Sequence, residues 1–313
     1  MRAFVFPGQG SQSVGMGRDL AEAFPVAKET FQEIDDALNQ KLSKIIFEGP
    51  DTELNLTENT QPALMAVSLA VVRILKAGKP DLLTPAKCKF VAGHSLGEYS
   101  ALTAAGSFKL ADTARLLKIR GQAMQKAVPV GVGAMAAILG LELPEVAAIV
   151  KEASNSEIVA AANDNSFGQV VVSGHKGAVE KAVALATAKG AKRAIMLPVS
   201  APFHCALMKP AADAMQTALA AVNVAAPSVP LIANVSADQV IDPARIKQLL
   251  VEQVTGMVRW RESVLYMKAQ GVTELIELGA GKVLNGLTKR IDGDLTGRAV
   301  GTPKDIEEFA ATL

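Results

Sequence analysis

Apolar runs that predict buried strands alternate with helical patterns over most of the chain. Short apolar runs at residues 2–6 and 89–92 predict buried strands, and two more strands are predicted at 230–234 and 274–278. Apolar residues recur with helical spacing at about 19–40, 61–76, 208–221, 243–255 and 262–270. The alternation predicts an α/β fold built on one large sheet, with Pro62 in the first turn of its helix. The tail at 302–313 predicts a short helix or a loose end.

The pattern changes between residues 133 and 199. Strands are predicted at 134–141, 158–163, 169–173 and 194–199, and helices at 144–153 and 176–189. The order β-α-β-β-α-β is typical of a ferredoxin-like unit, and a unit complete in itself suggests an insertion into a larger domain. The prediction is therefore a discontinuous catalytic domain at 1–130 and 199–313, with a ferredoxin-like domain at 131–198.

A serine lies in the turn that follows the strand at 89–92. The sequence Gly93-His94-Ser95-Leu96-Gly97 follows the strand directly, and a helix of small and apolar residues is predicted at 96–105. Glycines two residues before and after a serine allow a sharp strand-to-helix turn, and the helix directs its free N–H groups at the serine. This pattern predicts a nucleophile elbow; the alternative is a glycine-rich connection with a solvated serine.

A nucleophilic serine needs a base, and the chain has three histidines. Because successive side chains at a strand end point apart, His94 is expected to support the elbow rather than to accept the proton of Ser95. His175 is expected in solvent at a strand end of the insertion. His204, in a loop that re-enters the large domain, is the remaining candidate, and its alternative is a hydrogen-bonded core histidine.

The residue that orients His204 is less evident from the sequence. A hydrolase of the elbow type supplies an acid between the serine and the histidine in chain order. Glu157 and Asp164 fall in that interval, but both belong to the predicted insertion. If neither serves, a backbone carbonyl would orient the ring.

Arg120 lies on the apolar face of a helix predicted at 110–128. At 100° per residue it falls in the middle of a face formed by Leu116, Leu117, Met124 and Ala127. An arginine in that position snorkels, pairs with an acid, or binds an anion, because an unpaired buried charge is costly. The sequence therefore offers an anion site, with an internal ion pair and snorkelling as alternatives.

Composition excludes several classes of protein. The chain has 313 residues, 50% of them hydrophobic, a formal net charge of +1 and two cysteines, Cys88 and Cys205. These values allow a large core and do not fit a disulfide-rich secreted protein or bulk attraction to nucleic acid or membranes. Charges interrupt the longer apolar stretches, so the sequence predicts a soluble cytoplasmic protein. No His/Cys cluster has metal-ligand spacing.

The motifs taken together resemble the malonyl-CoA:acyl carrier protein transacylases of bacterial fatty acid synthesis. The resemblance covers essentially the whole chain. Its markers, in order, are Phe6-Pro7-Gly8-Gln9-Gly10-Ser11-Gln12, Gly93-His94-Ser95-Leu96-Gly97-Glu98, Arg120-Gly121 with Met124-Gln125, Asn163 with Asn165, Gly168-Gln169-Val170-Val171, Phe203-His204 and Gly281-Lys282-Val283-Leu284. The family's fold is an α/β-hydrolase-like large domain with a ferredoxin-like insertion.

The resemblance implies a catalytic role for five residues. Ser95 would be acylated and His204 would be its base. The backbone N–H groups of Gln9 and Leu96 would form the oxyanion hole, and the backbone carbonyl of Gln253 would orient the histidine. The expected reaction moves a malonyl group from malonyl-CoA to the phosphopantetheine thiol of acyl carrier protein through a malonyl-serine intermediate.

The resemblance also implies how the acyl group is selected. Arg120 would bind the free carboxylate of the malonyl group, which an acetyl group lacks. Met124 and Asn163 would line the substrate site, and Phe203 would tune the acyl pocket. No cofactor or metal is expected, because the CoA thioester is itself the substrate, and the enzyme is expected to be a monomer.

Further predictions concern the partner and the rival functions. Because the carrier protein is acidic, we expect a basic docking surface, for which Lys189, Lys192 and Arg193 are candidates; an ordinary solvated face is the alternative. A serine esterase or thioesterase could use the same elbow. Nucleotide binding is disfavoured, because the loop at 8–13 lacks the third fingerprint glycine and Val283 replaces the hydroxyl residue of a phosphate loop.

Overall fold

The computed structural model describes residues 1–155, 157–199 and 201–313. Ser156 and Ser200, which belong to the predicted insertion and to the segment after it, lie outside the described residues. The strands within these ranges are β1 (Arg2–Phe6), β2 (Phe90–Gly93), β3 (Gly133–Leu139), β4 (Val159–Ser166), β5 (Gln169–His175), β6 (Arg193–Met196), β7 (Leu231–Ile232), β8 (Gln239–Val240), β9 (Glu274–Leu278) and β10 (Thr296–Val300).

The helices surround two sheets. In chain order they are α1 (Arg18–Ala23), α2 (Pro25–Leu38), α3 (Leu42–Glu48), α4 (Asp51–Leu54), α5 (Thr57–Gly78), α6 (Gly97–Ala104), α7 (Leu110–Lys126), α8 (Leu143–Ala153), α9 (Lys176–Ala188), α10 (Lys209–Ala220), α11 (Pro243–Thr255), α12 (Trp260–Ala269), α13 (Val283–Ile291) and α14 (Pro303–Ala310).

The larger sheet has the strand order β10-β9-β1-β2-β7-β8. Its first five strands are parallel, and β8 pairs antiparallel with β7. Alternate residues of β1 enter different apolar clusters, since Phe4 and Phe6 pack on one face while Ala3 and Val5 pack on the other. Burial on both faces explains why the sequence of β1 is a continuous apolar run.

The smaller sheet is antiparallel with the order β4-β5-β3-β6. Its elements follow one another as β3, α8, β4, β5, α9 and β6, which is the order predicted from the sequence. Ala136 and Val172 pack with α8 and α9 on one face. Met135 and Val171 project from the other face into the main apolar cluster. The second face of this sheet therefore covers the larger part of the molecule.

Two errors in the predicted helices occur at prolines. The predicted helix at 19–40 is two helices, because Pro25 lacks the N–H that would continue α1 and instead begins α2. Pro62 lies inside α5 rather than in its first turn. The helix begins earlier because the Thr60 hydroxyl donates to Leu54 O, 2.6 Å away, and ties the first turn to α4.

Other differences involve short or partly exposed elements. The sequence did not predict α3, α4, β8, α13 or β10. β7 comprises only two residues, and β6 ends at Met196 rather than at 199. Helix α5 is long and apolar enough to cross a membrane by length and composition despite Arg73 and Lys76, but 78% of its apolar window is buried inside the protein. The tail forms helix α14.

The connection between β2 and α6 passes very close to β1. A Cβ atom added to Gly97 would lie 2.3 Å from Phe6 O, and one added to Gly93 would lie 1.9 Å from Gly97 C. Between these glycines Ser95 has a φ of 53°, a left-handed conformation that is uncommon for a residue with a side chain. The two glycines are therefore required by close backbone contacts, as the elbow pattern predicted.

This contact predicts different outcomes for two glycine substitutions. Gly97→Ala should lower the free energy of unfolding by about 3 kcal/mol or more, because the new methyl group overlaps the carbonyl of Phe6. Gly286→Ala is the matched control, since a Cβ there meets nothing within 4 Å and lies in helix α13. It should raise the free energy of unfolding by about 0.5–1 kcal/mol. Urea denaturation measures both, and equal effects would contradict the argument.

Candidate active site

Ser95 and His204 form a hydrogen-bonded pair. Ser95 Oγ lies 2.8 Å from His204 Nε2, although the two residues are 109 positions apart. His204 lies between β6 and α10 and, like Ser95, has a left-handed backbone, with a φ of 58°. The backbone carbonyl of Gln253, near the end of α11, lies 2.9 Å from His204 Nδ1. A proton on Nδ1 donates to this carbonyl and leaves Nε2 free to accept the proton of the serine.

Burial keeps the imidazole of His204 uncharged. Desolvation, followed by the positive charge of Arg120, lowers the pKa of His204 to about 3. A histidine whose pKa is lowered in this way is neutral at every pH well above that value. His204 is therefore a hydrogen-bond acceptor towards Ser95 throughout the neutral range.

The other candidates for the base and the orienting acid lie elsewhere. His94 Nε2 is 2.8 Å from Asn165 Oδ1 on β4, and His175 Nδ1 accepts a hydrogen bond from the Ile158 amide. Asp164 pairs with Arg261 at 2.9 Å. Glu157 lies beside Gly177, at the start of α9. Among the described residues, the side-chain hydrogen bonds of His204 are to Ser95 Oγ and to the backbone carbonyl of Gln253, and none of them involves a carboxylate.

Arg120 is buried beside the serine and has only neutral partners. Its side chain, in a residue that is 1% exposed, donates to Gln61 Oε1 at 2.8 Å, to Gln253 Oε1 at 3.0 Å and to Ser95 Oγ at 3.1 Å. Over the described ranges it forms no ion pair, and its Nε has no hydrogen-bond partner. Neither snorkelling nor an internal ion pair describes this residue, so an anion site remains.

A cavity of about 250 Å³ opens in front of this group. Ser95, Arg120 and His204 line this cavity, and so do Gln9, Leu96, Met124, Asn163 and Phe203. The structure thus brings these sequence-predicted residues to one cavity. The remaining wall comes largely from the second face of the small sheet, through Met135, Ala137, Gln169 and Val171.

Two backbone amides at this cavity lack a protein acceptor. In the parts of the chain that the structure describes, neither Gln9 N nor Leu96 N donates a hydrogen bond to another protein group. The amide of Ser95 itself is occupied, because it donates to Asn234 Oδ1 at 2.8 Å. Leu96 immediately precedes α6, so its N–H belongs to the positive end of that helix. Both amides are available to an oxygen bound in the cavity.

Sequence reasoning missed several polar residues behind the site. Gln61, Glu98 and Asn234 contact Arg120, Gln253 or the elbow. Asn234 is separated by Ala233 from the end of β7, which is paired with β2, so the rule that ligand-binding residues lie near the carboxyl ends of parallel strands could have identified it. No comparable signal marked Gln61 or the side chain of Gln253.

The three basic residues proposed for docking lie away from the cavity. Lys189, Lys192 and Arg193 are exposed at the end of α9 and the start of β6. Lys189 forms an ion pair with Glu152 at 2.6 Å, which partly neutralises its charge. Within the described ranges, no group of three or more His, Cys, Asp or Glu residues could hold a metal ion.

Comparison with known proteins gives a consistent result. The family model for the acyl transferase domain matches residues 3–289. The chain is 50% identical over 303 residues to the malonyl CoA-acyl carrier protein transacylase of Escherichia coli (strain K12), and the match covers 96% of each chain.

Two solved structures show the same likeness. The crystal structure of acyl-carrier-protein S-malonyltransferase from Bartonella henselae is 57% identical with a TM-score of 0.97, covering 99% of this chain and 98% of that chain. A malonyl-transacylase in complex with a type II PKS acyl-carrier protein is 44% identical with a TM-score of 0.96, covering 100% and 99%. The predicted α/β class is confirmed by this agreement.

Proposed function

Because the chain belongs to the acyl transferase domain family, we propose that it transfers a malonyl group from malonyl-CoA to the thiol of acyl carrier protein. The relatives reported above are named for this transfer. The observation that carries the proposal is Arg120, a buried cation without a carboxylate partner whose Nη2 lies 3.1 Å from Ser95 Oγ. A malonyl group, as a dicarboxylic acyl group, brings the carboxylate that this cation lacks.

The first half-reaction acylates Ser95. The hydroxyl gives its proton to His204 Nε2 while Oγ attacks the thioester carbon, and the N–H groups of Gln9 and Leu96 stabilise the resulting oxyanion. When the tetrahedral intermediate collapses, the C–S bond breaks and His204 returns the proton to the CoA sulfur. The carbonyl of Gln253 holds the imidazole in the tautomer that this exchange requires. The product is a malonyl-serine ester.

The second half-reaction reverses the roles of the sulfur atoms. His204 takes the proton from the phosphopantetheine thiol of the carrier protein, the sulfur attacks the ester carbon, and Ser95 leaves with the proton from His204. The reaction is therefore ping-pong and needs no cofactor. Water must be kept out between the two halves, and the small sheet, whose residues line the cavity, would serve to exclude it.

Arg120 selects the acyl group in this scheme. A guanidinium can bind a planar carboxylate through two parallel hydrogen bonds, and in a buried site such a contact is strong. Its neutral partners, Gln61 and Gln253, orient the guanidinium without adding a carboxylate that would compete with the substrate. An acetyl group has no free carboxylate with which to form this contact, so the site favours the dicarboxylic acyl group.

The fold is proposed to consist of two domains that share the active site. Residues 1–130 and 199–313 would form an α/β-hydrolase-like catalytic domain around the six-stranded sheet. Residues 131–198 would form a ferredoxin-like domain around the four-stranded sheet, whose strand order is the one expected for that unit. Supporting this division, each sheet packs its own apolar cluster, although Met135 and Val171 of the small sheet join the main one.

The partner of the second half-reaction is proposed to be an acidic acyl carrier protein. Support comes from the similar malonyl-transacylase that was solved in complex with a type II PKS acyl-carrier protein. Lys189, Lys192 and Arg193 are the proposed docking residues, and all three are exposed. We propose that the enzyme acts as a soluble cytoplasmic monomer, since the chain builds the cavity from its own residues.

A serine esterase or thioesterase is the principal alternative. The pair of Ser95 and His204 alone would suit either enzyme. A hydrolase, however, has no use for a buried, unpaired arginine at the nucleophile, and it would need water where the small sheet covers the cavity. The transferase therefore accounts for more of the site.

Intact mass measured after incubation with malonyl-CoA tests the covalent step. Wild-type protein should gain the mass of one malonyl group, and Ser95→Ala should gain none because the nucleophile is absent. Ser100→Ala, which removes a buried hydroxyl from the same helix region, is the matched control and should still be acylated. CoA release without any adduct on the wild type would instead favour the hydrolase.

Substitution of Arg120 tests selection of the acyl group. Arg120→Ala should reduce kcat/KM for malonyl-CoA by about 10²-fold or more, because a charge-assisted contact is lost, and it should leave the low rate with acetyl-CoA nearly unchanged. The measured quantity is the ratio of the two rates. A general loss of folded protein lowers both rates equally and leaves this ratio unchanged. A ratio that stays at the wild-type value would rule out carboxylate recognition by Arg120.

Charge reversal tests the docking surface. Changing Lys189, Lys192 and Arg193 together to glutamate should raise KM for the acidic carrier protein several-fold, with a weaker effect in high salt. Malonyl transfer to free pantetheine should be unaffected, because that acceptor has no acidic surface. An unchanged KM for the carrier protein would show that the three residues form an ordinary solvated face.

A further inference from the structure

Two buried amide side chains hold the backbone of the elbow in its left-handed conformation. Asn234 Oδ1 accepts from Ser95 N at 2.8 Å, and Asn234 Nδ2 donates to Gly93 O at 2.7 Å. Gln253 Nε2 lies 3.0 Å from Ser95 O. The amide and carbonyl of the nucleophile are thus both bound by side chains from outside the elbow. These contacts offset the strain expected of a serine with a φ of 53°.

Glu98 binds both of these amide residues. It lies in the first turn of α6, is 1% exposed, and accepts from Gln253 Nε2 at 2.7 Å and from Asn234 N at 3.2 Å through Oε2. Both partners are N–H donors, so this oxygen must act as an acceptor. An ionised carboxylate does so with all its lone pairs, whereas a protonated one is a weaker acceptor.

Gln253 transmits the position of Glu98 to the rest of the site. Its Nε2 faces Glu98, so its Oε1 is turned towards Arg120 Nη2, 3.0 Å away. Its backbone carbonyl accepts from His204 at 2.9 Å. If the side-chain amide rotated by half a turn, an N–H group would face the guanidinium and an oxygen would face the carboxylate, and both contacts would become repulsive.

We propose that Glu98, as a carboxylate, is the positioning residue that fixes Gln253 and Asn234 and thereby aligns Ser95, His204 and Arg120 for acyl transfer. This proposal rests on the proposed function for its substrate, but its geometric part concerns only the reactivity of the serine. Glu98 touches neither the substrate cavity nor the reacting atoms and acts through the two amides.

The arrangement also explains how the charge of Arg120 is balanced without blocking the site. The carboxylate of Glu98 is separated from the guanidinium by one amide group rather than being in direct contact. Its charge still acts across this distance in a buried region. A direct ion pair would occupy the guanidinium edge that the malonyl carboxylate needs. Glu98 can therefore compensate Arg120 while the guanidinium stays open to the substrate.

The alignment should depend on pH because Glu98 is buried. Desolvation raises the pKa of Glu98 to about 7, against the opposing effects of its bonds to Gln253 and Asn234 and of the positive charge of Arg120. The charged or titratable groups that act on it in the described residues are Arg120 on α7 and Tyr99, the next residue on α6. Below about pH 7 the carboxyl becomes protonated and its acceptor strength falls. His204, with a pKa near 3, stays neutral over this range.

The test measures the rate at which phenylmethanesulfonyl fluoride modifies Ser95 between about pH 5 and pH 9. This reagent reports the activated serine and does not require malonyl-CoA. In the wild type the rate constant should fall by about 10²-fold from the alkaline to the acidic plateau, with a midpoint near pH 7, because misplacement of catalytic groups has costs of that order. Glu98→Gln should stay at the acidic plateau at all of these pH values.

Glu277→Gln is the matched control. Glu277 is also a fully buried glutamate, but it accepts from the amides of Leu284 and Asn285 at the start of α13. This variant should lose stability and keep the wild-type pH profile. If the role of Glu98 were merely structural, Glu98→Gln and Glu277→Gln would behave alike. A Glu98→Gln variant that is modified at the wild-type rate above pH 8 would overturn the proposal.

Glu98→Asp provides a second variant in case the glutamine variant does not fold. Aspartate keeps the carboxylate, so the decrease in rate at acidic pH, the acid limb of the profile, should persist. The overall rate should be lower because the side chain is shorter. A flat profile for Glu98→Asp would overturn the proposal, since the limb would then not follow the carboxylate. A wild-type decrease in rate at acidic pH that Glu98→Gln abolishes supports the proposal even if malonyl-CoA forms no adduct, an outcome that would contradict the proposed function alone.

Discussion

The burial of one positive charge without a carboxylate in contact is the constraint on which the architecture of the site depends. Desolvation of the Arg120 guanidinium is unfavourable, and it lowers the pKa of that group. The protein offsets this cost with oxygen atoms from Gln61, Gln253 and Ser95, each neutral and each within 3.1 Å. These partners stabilise the cation less than a carboxylate would. In the proposed function, this residual imbalance is what favours an incoming dicarboxylic acyl group.

Local patterns predicted the parts of the fold that local sequence controls. The bounds of β1 agree with the predicted run at residues 2–6, because a strand buried on both faces has no polar positions to obscure it. Helical spacing placed Arg120 on the inner face of α7, where it is buried. By contrast, β10 is a partly exposed edge strand with polar residues, and its sequence lacks an apolar run that would identify it. The domain division stays a prediction.

The remaining parts of the site could not be predicted because they depend on contacts between distant residues. The side chain of Gln253 contacts Arg120 and Glu98, which lie 133 and 155 positions earlier in the sequence. The spacing of hydrophobic residues does not indicate such a pairing. The resemblance to a family implied that the backbone carbonyl of Gln253 orients the histidine. Neither that resemblance nor residue spacing indicated which way its side-chain amide faces. The start of α5 is a similar case. The contact of Thr60 with α4 starts this helix before Pro62, and the position of the proline alone could not indicate it. Tertiary contacts override local preference at such positions.

The sequence separation between the residues of the site determines when, during synthesis and folding, the site can form. Ser95 depends on partners that lie 109, 139 and 158 residues further along the chain. Contacts of such high separation form late in folding, and during synthesis they must wait for the later segments to leave the ribosome. A nascent chain that has folded its first sheet strands and elbow helix carries an inert hydroxyl. The reactivity towards thioesters that we propose for Ser95 would therefore arise only after the C-terminal half has folded against it.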